Sequence, residues 1–177
     1  MIKFSTHSGI HTLQVKQKLP VSIEKAWEFF SAPNNLAKIT PEHMGFKITS
    51  DIENDKMFPG QIITYQVHPF KGFTTNWVTE ITHVVDHKYF VDEQRFGPYS
   101  MWHHEHWFKA VGGGVEMIDR ISYKIPFGFL GRILEKILIR KQLKNIFEYR
   151  YKKLNAFFGS FEEKNDHKKK DLTFSAG

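Results

Sequence analysis

Phe90-Val91-Asp92-Glu93-Gln94-Arg95-Phe96-Gly97-Pro98-Tyr99, followed at once by Trp102-His103-His104-Glu105-His106, alternates in residue character and is punctuated by Gly97-Pro98. A period of two belongs to a β-strand, whose successive side chains point to opposite faces. Gly tolerates positive φ and Pro presets a turn dihedral, so the pair marks a reversal. The stretch therefore reads as two antiparallel strands joined by a turn. The same pattern runs outward in both directions, from Gly45 to Ile125. Strands are expected near Phe46–Ile52, Gln61–His68, Thr74–Val85, Lys88–Phe96, Ser100–Val111 and Val115–Ile125. Turn formers separate them at Asn54-Asp55, Pro59-Gly60, Gly72, Asp86-His87, Gly97-Pro98 and Gly112-Gly113-Gly114. The triple glycine lies between two strands and lacks a following Lys-Ser/Thr, so it is a hairpin tip rather than a phosphate loop.

Upstream, Ile10–Leu19 alternates as a further strand and stops at Pro20. Ser22 stands where an N-cap belongs, and Ile23, Ala26, Trp27 and Phe30 recur at helical spacing. Asn34 or Asn35 is expected to cap a second short helix that ends before Pro41. Downstream of Pro126 the helical period returns for about thirty residues. Leu130, Ile133, Leu134, Ile137 and Leu138 form one apolar arc, and Leu143, Ile146, Phe147, Tyr151, Leu154 and Phe158 form another. At 3.6 residues per turn the arcs differ by roughly 120°. A straight rod cannot lay both on one sheet, so a kink, a break or a change of partner is expected between Ile139 and Leu143. Otherwise the first arc is partly exposed and meets a membrane or another protein. These elements assemble as an α+β fold: a curved seven-stranded antiparallel sheet around a long C-terminal helix, with two short helices between strands one and two.

The chain has 177 residues, of which 41% are hydrophobic and 15% aromatic, enough for one core. A single domain over residues 1–159 and a polar, disordered tail over 160–177 are expected. With no cysteine, disulfides, thiol nucleophiles and Cys-ligated metals are excluded. Residues 1–13 hold no apolar run of the length a secretory signal needs, and cytoplasmic residence is expected. Between Phe129 and Phe158 eight Lys or Arg face two Glu, so this segment carries the whole net charge of +6. It reads as the solvated face of an amphipathic helix. Nucleic acid is not expected as a partner, since exposed aromatics interleaved with spread basic residues are missing. There is no dinucleotide fingerprint, Walker loop or nucleophile elbow.

The order of elements, together with Leu19-Pro20-Val21-Ser22, Ala26-Trp27-Glu28-Phe29-Phe30, Asn35-Leu36 and Ile39-Thr40-Pro41, resembles the START-type, pollen-allergen-like helix-grip superfamily (SRPBCC). The 90–106 stretch, Asp119-Arg120 with Tyr123, and Pro126 to Gly131 make it most similar to the bacterial polyketide cyclase/dehydrase-like, ligand-binding branch. The resemblance spans about residues 4–158. That superfamily includes lipid carriers, hormone receptors, cyclases and co-chaperones, and its simple members are metal-free.

Strand phase selects the candidate site. Phe90, Asp92 and Gln94 share a face, as do Trp102, His104, His106 and Phe108, and Asp119 and Tyr123. If these faces point into the grip, they form an apolar cavity with a few convergent polar groups; Trp77 and Phe147 complete the expected ligand-binding set. Three alternatives stand beside ligand contact. The polar groups can satisfy one another and specify register. His104, His106, Asp92 and Asp119 can supply acid–base chemistry for a cofactor-independent cyclase or dehydratase. His104 and His106 with Asp92 form a set that suits zinc or non-haem iron, although no metal and no cofactor are expected. Binding of a small hydrophobic or amphipathic molecule is placed first and catalysis second. A membrane- or protein-interaction module using the basic C-terminal helix is placed third. The chain is expected to be a monomer or weak homodimer, with transient membrane-surface contact.

Overall fold

Alternation yields strands wherever one face meets the core and the other meets water. In the computed structural model, which describes residues 1–52, 56–70 and 72–162 apart from the Phe70 side chain, there are eight: β1 (Ile2–His7), β2 (Ile10–Leu19), β3 (Lys47–Ile48), β4 (Ile62–Phe70), β5 (Phe73–Val85), β6 (Tyr89–Phe96), β7 (Met101–Val111) and β8 (Gly114–Lys124). They form one antiparallel sheet in the order β1-β2-β8-β7-β6-β5-β4-β3. The expected count of seven is corrected by β1. Ser8 and Gly9 both take positive φ, 50° and 78°, the requirement of a two-residue hairpin turn that matches strand twist. The turn folds Ile2–His7 back onto β2. The strand expected over Phe46–Ile52 shrinks to Lys47–Ile48, because Thr49 and Ser50 both donate to the single Thr64 carbonyl and the ladder ends there.

Between β2 and β3 lie helix α1 (Ile23–Phe30) and two 3₁₀ segments, Pro33–Ile39 and Glu42–Met44. Ser22 caps α1 through its hydroxyl, which accepts from the Lys25 amide. Neither Asn34 nor Asn35 caps the next segment, whose N-cap is Ala32. Asn35 instead turns back, and its amide donates to the Phe29 carbonyl at 2.9 Å, satisfying the open end of α1.

The C-terminal rod comprises α2 (Gly128–Leu134), a π-helical turn (Glu135–Ile139) and α3 (Arg140–Phe158). The expected break falls immediately before the Ile139–Leu143 window, as this π turn. An extra residue per turn rotates everything after it. Leu143, Phe147 and Leu154 consequently bury against the sheet, whereas Leu130, Ile133, Leu134, Ile137 and Leu138 stay exposed. Tyr151 belongs to the second arc by spacing but lies at its edge, 45% exposed. Two contacts hold the rod at its start. A Cβ on Gly131 would come 2.0 Å from the Pro126 carbonyl oxygen, so only glycine permits this approach. Glu135 is fully buried; it accepts from the Tyr123 hydroxyl at 2.9 Å and from Arg140 Nε at 3.1 Å. Further along, Gln17 of β2 donates to Asn155 Oδ1 of α3.

Buried side chains of the sheet and of the helices packed on it form three groups. Leu19, Trp27, Phe90, Phe108 and Leu154 fill one end. Leu13, Val15, Ile121, Tyr123, Leu143 and Phe147 fill the other. Ile63, Tyr65, Val67 and Ile81 line β4 and β5. Among the described residues no helix is long and apolar enough to cross a membrane. The expectation for the 160–177 tail falls mostly outside the described residues.

A buried carboxylate that loses a donor loses stability out of proportion to one ordinary hydrogen bond. Tyr123→Phe is expected to lower unfolding free energy by about 2 kcal/mol, measured by urea denaturation, with an unchanged denaturant slope.

Candidate functional site

Three adjacent strands bring the polar residues together. The β6–β7 register sets Asp92 opposite His104, and the β7–β8 register sets His106 opposite Asp119. His104 and His106 are two apart on one face of β7, and their ring centroids lie 3.7 Å apart. Each imidazole thus sits between a carboxylate on β6 and one on β8. His104 Nε2 lies 3.1 Å from Asp119 Oδ1, and its Nδ1 lies 3.5 Å from Asp92 Oδ2. His106 Nε2 lies 2.8 Å from Asp92 Oδ2, and its Nδ1 lies 3.0 Å from Asp119 Oδ1. Arg150, from α3, brings a guanidinium nitrogen within 3.8 Å of Asp119.

The two histidines titrate in opposite directions. Burial disfavours the imidazolium of His106, but hydrogen bonds to Asp119 and Asp92 outweigh it and raise its pKa above 6.5. For His104, burial and the neighbouring His106 charge prevail over the carboxylates, and its pKa falls below 6.5. Burial would raise both aspartates, but the histidines overcome it: His104 acts first on Asp92, and hydrogen bonds from His104 and His106 act on Asp119, so both carboxyls stay well below the usual range. Burial lowers the pKa of Arg150 against the pull of Asp119 and Asp92, yet a guanidinium remains charged. A proton is therefore favoured on His106 over His104, and together with Arg150 it sets positive charge against the two carboxylates.

The cluster forms part of the wall of a cavity of about 190 Å³ between the sheet and α3. Most of the wall is apolar: Leu36, Met44, Ile63 and Ile81 lie along one side, with Phe147 on α3 and the rings of Trp77, Tyr99 and Trp102 across the sheet. Trp102 meets Trp77 edge to face at 5.2 Å. At the polar wall Arg150, Asp92, His104 and His106 face inward. Arg150 Nε and Trp77 Nε1 are buried donors without a hydrogen-bond partner among the described residues. Tyr65 and Thr79 satisfy each other through their hydroxyls.

Of the residues selected by strand phase, Phe90, Asp92, Trp102, His104, His106, Trp77 and Phe147 line the cavity. Four do not. Gln94 folds back on the following turn, donating to the Tyr99 carbonyl at 2.7 Å and accepting from its amide. Phe108 packs edge to face on Trp27 at 5.5 Å, beyond the cavity's end. Tyr123 is consumed by Glu135. Asp119 lies behind the histidines and orients them. On the opposite phase, Arg95 pairs with Glu80 and Glu93, and Arg120 pairs with Glu105. Arg150 was counted with the solvated basic face; the structure moves it inside. Its spacing with Leu143, Phe147 and Leu154 is that of a single helical stripe, which is the signal that identifies it.

Asp92, His104 and His106 are also the described residues whose donor atoms could hold a metal, lying within 4.8 Å of one another. Arg150 already places a positive charge beside this group, 3.8 Å from Asp119.

No protein-family model and no curated protein sequence matches the chain. Solved structures do match in fold. Protein CV1439 from Chromobacterium violaceum superposes with a TM-score of 0.64 at 14% identity, over 85% of this chain and 98% of its own. Protein Ms6760 from Mycobacterium smegmatis gives 0.60 at 14% identity, over 89% and 98%. The ginseng major latex-like protein 151 from Panax ginseng gives 0.60 at 11% identity, over 85% and 99%. The fold is the helix-grip fold. At these identities the likeness extends to architecture alone.

A group whose pKa is raised on folding stabilises the protein fully below its unfolded value and loses that contribution as pH rises through the folded one. His106 should therefore add stability below pH 6.5 that fades above it. A melting-temperature profile of His106→Gln is expected to lack the decline that the parent shows on the alkaline side. Nitrogen-15 chemical shifts should report that His106 keeps its second proton to a higher pH than His104 does.

Proposed function

We propose that this helix-grip chain binds a small amphipathic molecule between α3 and the sheet, with its apolar body among the aromatic and aliphatic walls and an acceptor group at Arg150. The observation that carries this reading is the pairing of an apolar cavity with buried donors, Arg150 Nε and Trp77 Nε1, that have no hydrogen-bond partner among the described residues. A dry apolar cavity of about 150 Å³ suffices for benzene, and this one is somewhat larger. A buried unpaired donor costs about 1–3 kcal/mol; a carboxylate or carbonyl on the ligand removes that cost on binding. Lipid-like and polyketide-like molecules have this chemistry, in keeping with the resemblance to the polyketide cyclase/dehydrase-like branch.

Acid–base catalysis in the same cavity is the second reading, favoured by the neutral, cavity-lining His104. It ranks second because all four imidazole nitrogens face carboxylates of the protein rather than the cavity. Turnover of a polyketide-like substrate that His104→Ala abolishes at constant melting temperature would reverse the ranking.

Displacement of an environment-sensitive fluorescent fatty acid, with native mass spectrometry of what co-purifies, tests the binding reading. Arg150→Met is expected to weaken a carboxylate-bearing probe by about tenfold to a hundredfold, the worth of one charge-assisted hydrogen bond, and to spare an uncharged one. Ile63→Phe, which fills the cavity, is expected to weaken both. Refusal of every apolar probe by the folded protein removes the proposal.

A further inference from the structure

The cavity uses only the second apolar arc of the C-terminal rod. The first lies outside it: Phe127, Phe129, Leu130, Ile133, Leu134, Ile137 and Leu138 are exposed by between 38% and 74%. These side chains lie along α2 and the π turn, where Gly131 and Glu135 are the buried positions. Two observations indicate what covers it. First, Glu135 is the sole acidic residue between Gly128 and Lys144, and it is fully buried, tied to Tyr123 and Arg140. The side chains left at the surface beside the apolar arc are Arg132, Lys136 and Lys141, all exposed and all basic. Second, Phe127 takes a left-handed backbone, φ 73°, and its ring is 74% exposed. A non-glycine residue in that conformation is strained, and no burial among the described residues offsets the strain.

We propose that α2 and the π turn dock on the surface of an anionic phospholipid bilayer. An apolar helical face bordered by Lys and Arg, without exposed carboxylates, is the pattern of a helix that lies in the plane of a membrane interface. The basic side chains reach the headgroups while the aromatic and aliphatic ones enter the acyl boundary. A second copy of the chain is the poorer occupant, since pairing this face with itself would set its basic borders against each other. Position adds a consequence. Leu138, at the end of the arc, and Lys141 line a groove with Pro69 and Gly72, and Gln142, Ile146 and Pro69 belong to both this groove and the cavity. Gln142 donates to the Pro69 carbonyl where the groove and the cavity share their walls. Docking therefore brings the cavity mouth to the bilayer, so that a ligand need not cross water.

The exposed arc contributes no residue to the cavity wall, so one experiment distinguishes docking from ligand uptake. The full chain is floated with vesicles of phosphatidylcholine alone and of phosphatidylcholine with phosphatidylserine, in parallel with fluorescent fatty-acid uptake in the absence of vesicles. Binding is expected to the anionic vesicles, and to weaken as salt shortens the Debye length from about 10 Å to about 3 Å. Lys136→Glu and Arg132→Glu should each reduce partitioning by roughly fivefold or more. Leu130→Glu with Ile137→Glu should abolish it with melting temperature and fatty-acid uptake unchanged. Failure to bind either vesicle, or binding that the double variant does not change, overturns the proposal. A dimer in light scattering that the double variant disperses also overturns it, by giving the face to a second copy.

Discussion

The C-terminal rod carries two apolar stripes and can seat only one of them on the sheet. Most of the molecule follows from how that conflict is resolved. The π turn at Glu135–Ile139 inserts a rotation where the stripes change over, and two local contacts hold it there. Gly131 lets the rod approach the Pro126 carbonyl closely, and Glu135, drawn inside, is held by Tyr123 and Arg140. Beyond the turn, Leu143, Phe147 and Leu154 meet the sheet. Before it, the other stripe is left in the open. The cavity wall and the exposed face are two results of a single rotation.

The same rotation puts Arg150 inside. A guanidinium in an apolar cavity would be costly alone, but Asp92 and Asp119 lie across from it and also hold the two histidines. Strand register makes this possible, because β7 is flanked by β6 and β8 and each imidazole therefore finds a carboxylate on either side. A slip of one residue in either pairing would turn a carboxylate to the outer face. The cluster is thus a lock on register as well as a polar wall to the cavity. Among the described residues the Nε of Arg150, within this cluster, has no hydrogen-bond partner.

Local pattern carried much of this. Alternation with turn residues between Gly45 and Ile125 marks the six-stranded meander, Ser22 marks the start of α1, and phase selects Asp92, His104 and His106 for the inner face. The stripes of the rod, 120° out of step, require a rotation near Ile139. β1 is not marked in the sequence, because its polar alternation is faint and Ser8 is an uncommon residue for a left-handed turn position. Gln94 and Tyr123 have the right phase but different fates, since each has a nearer hydrogen-bond partner that the strand period does not reveal.

What the chain's residue order determined alone is periodicity: which residues share a strand face or a helical stripe, and so the α+β architecture and the polar set on β6, β7 and β8. Tertiary structure decided which stripe of the rod is covered, that Arg150 turns inward while Glu135 is sealed away, and that Phe108 packs beyond the cavity. The reason is that periodicity is a property of neighbours along the chain. Burial, charge balance and the width of a cavity are set by what the opposing element presents.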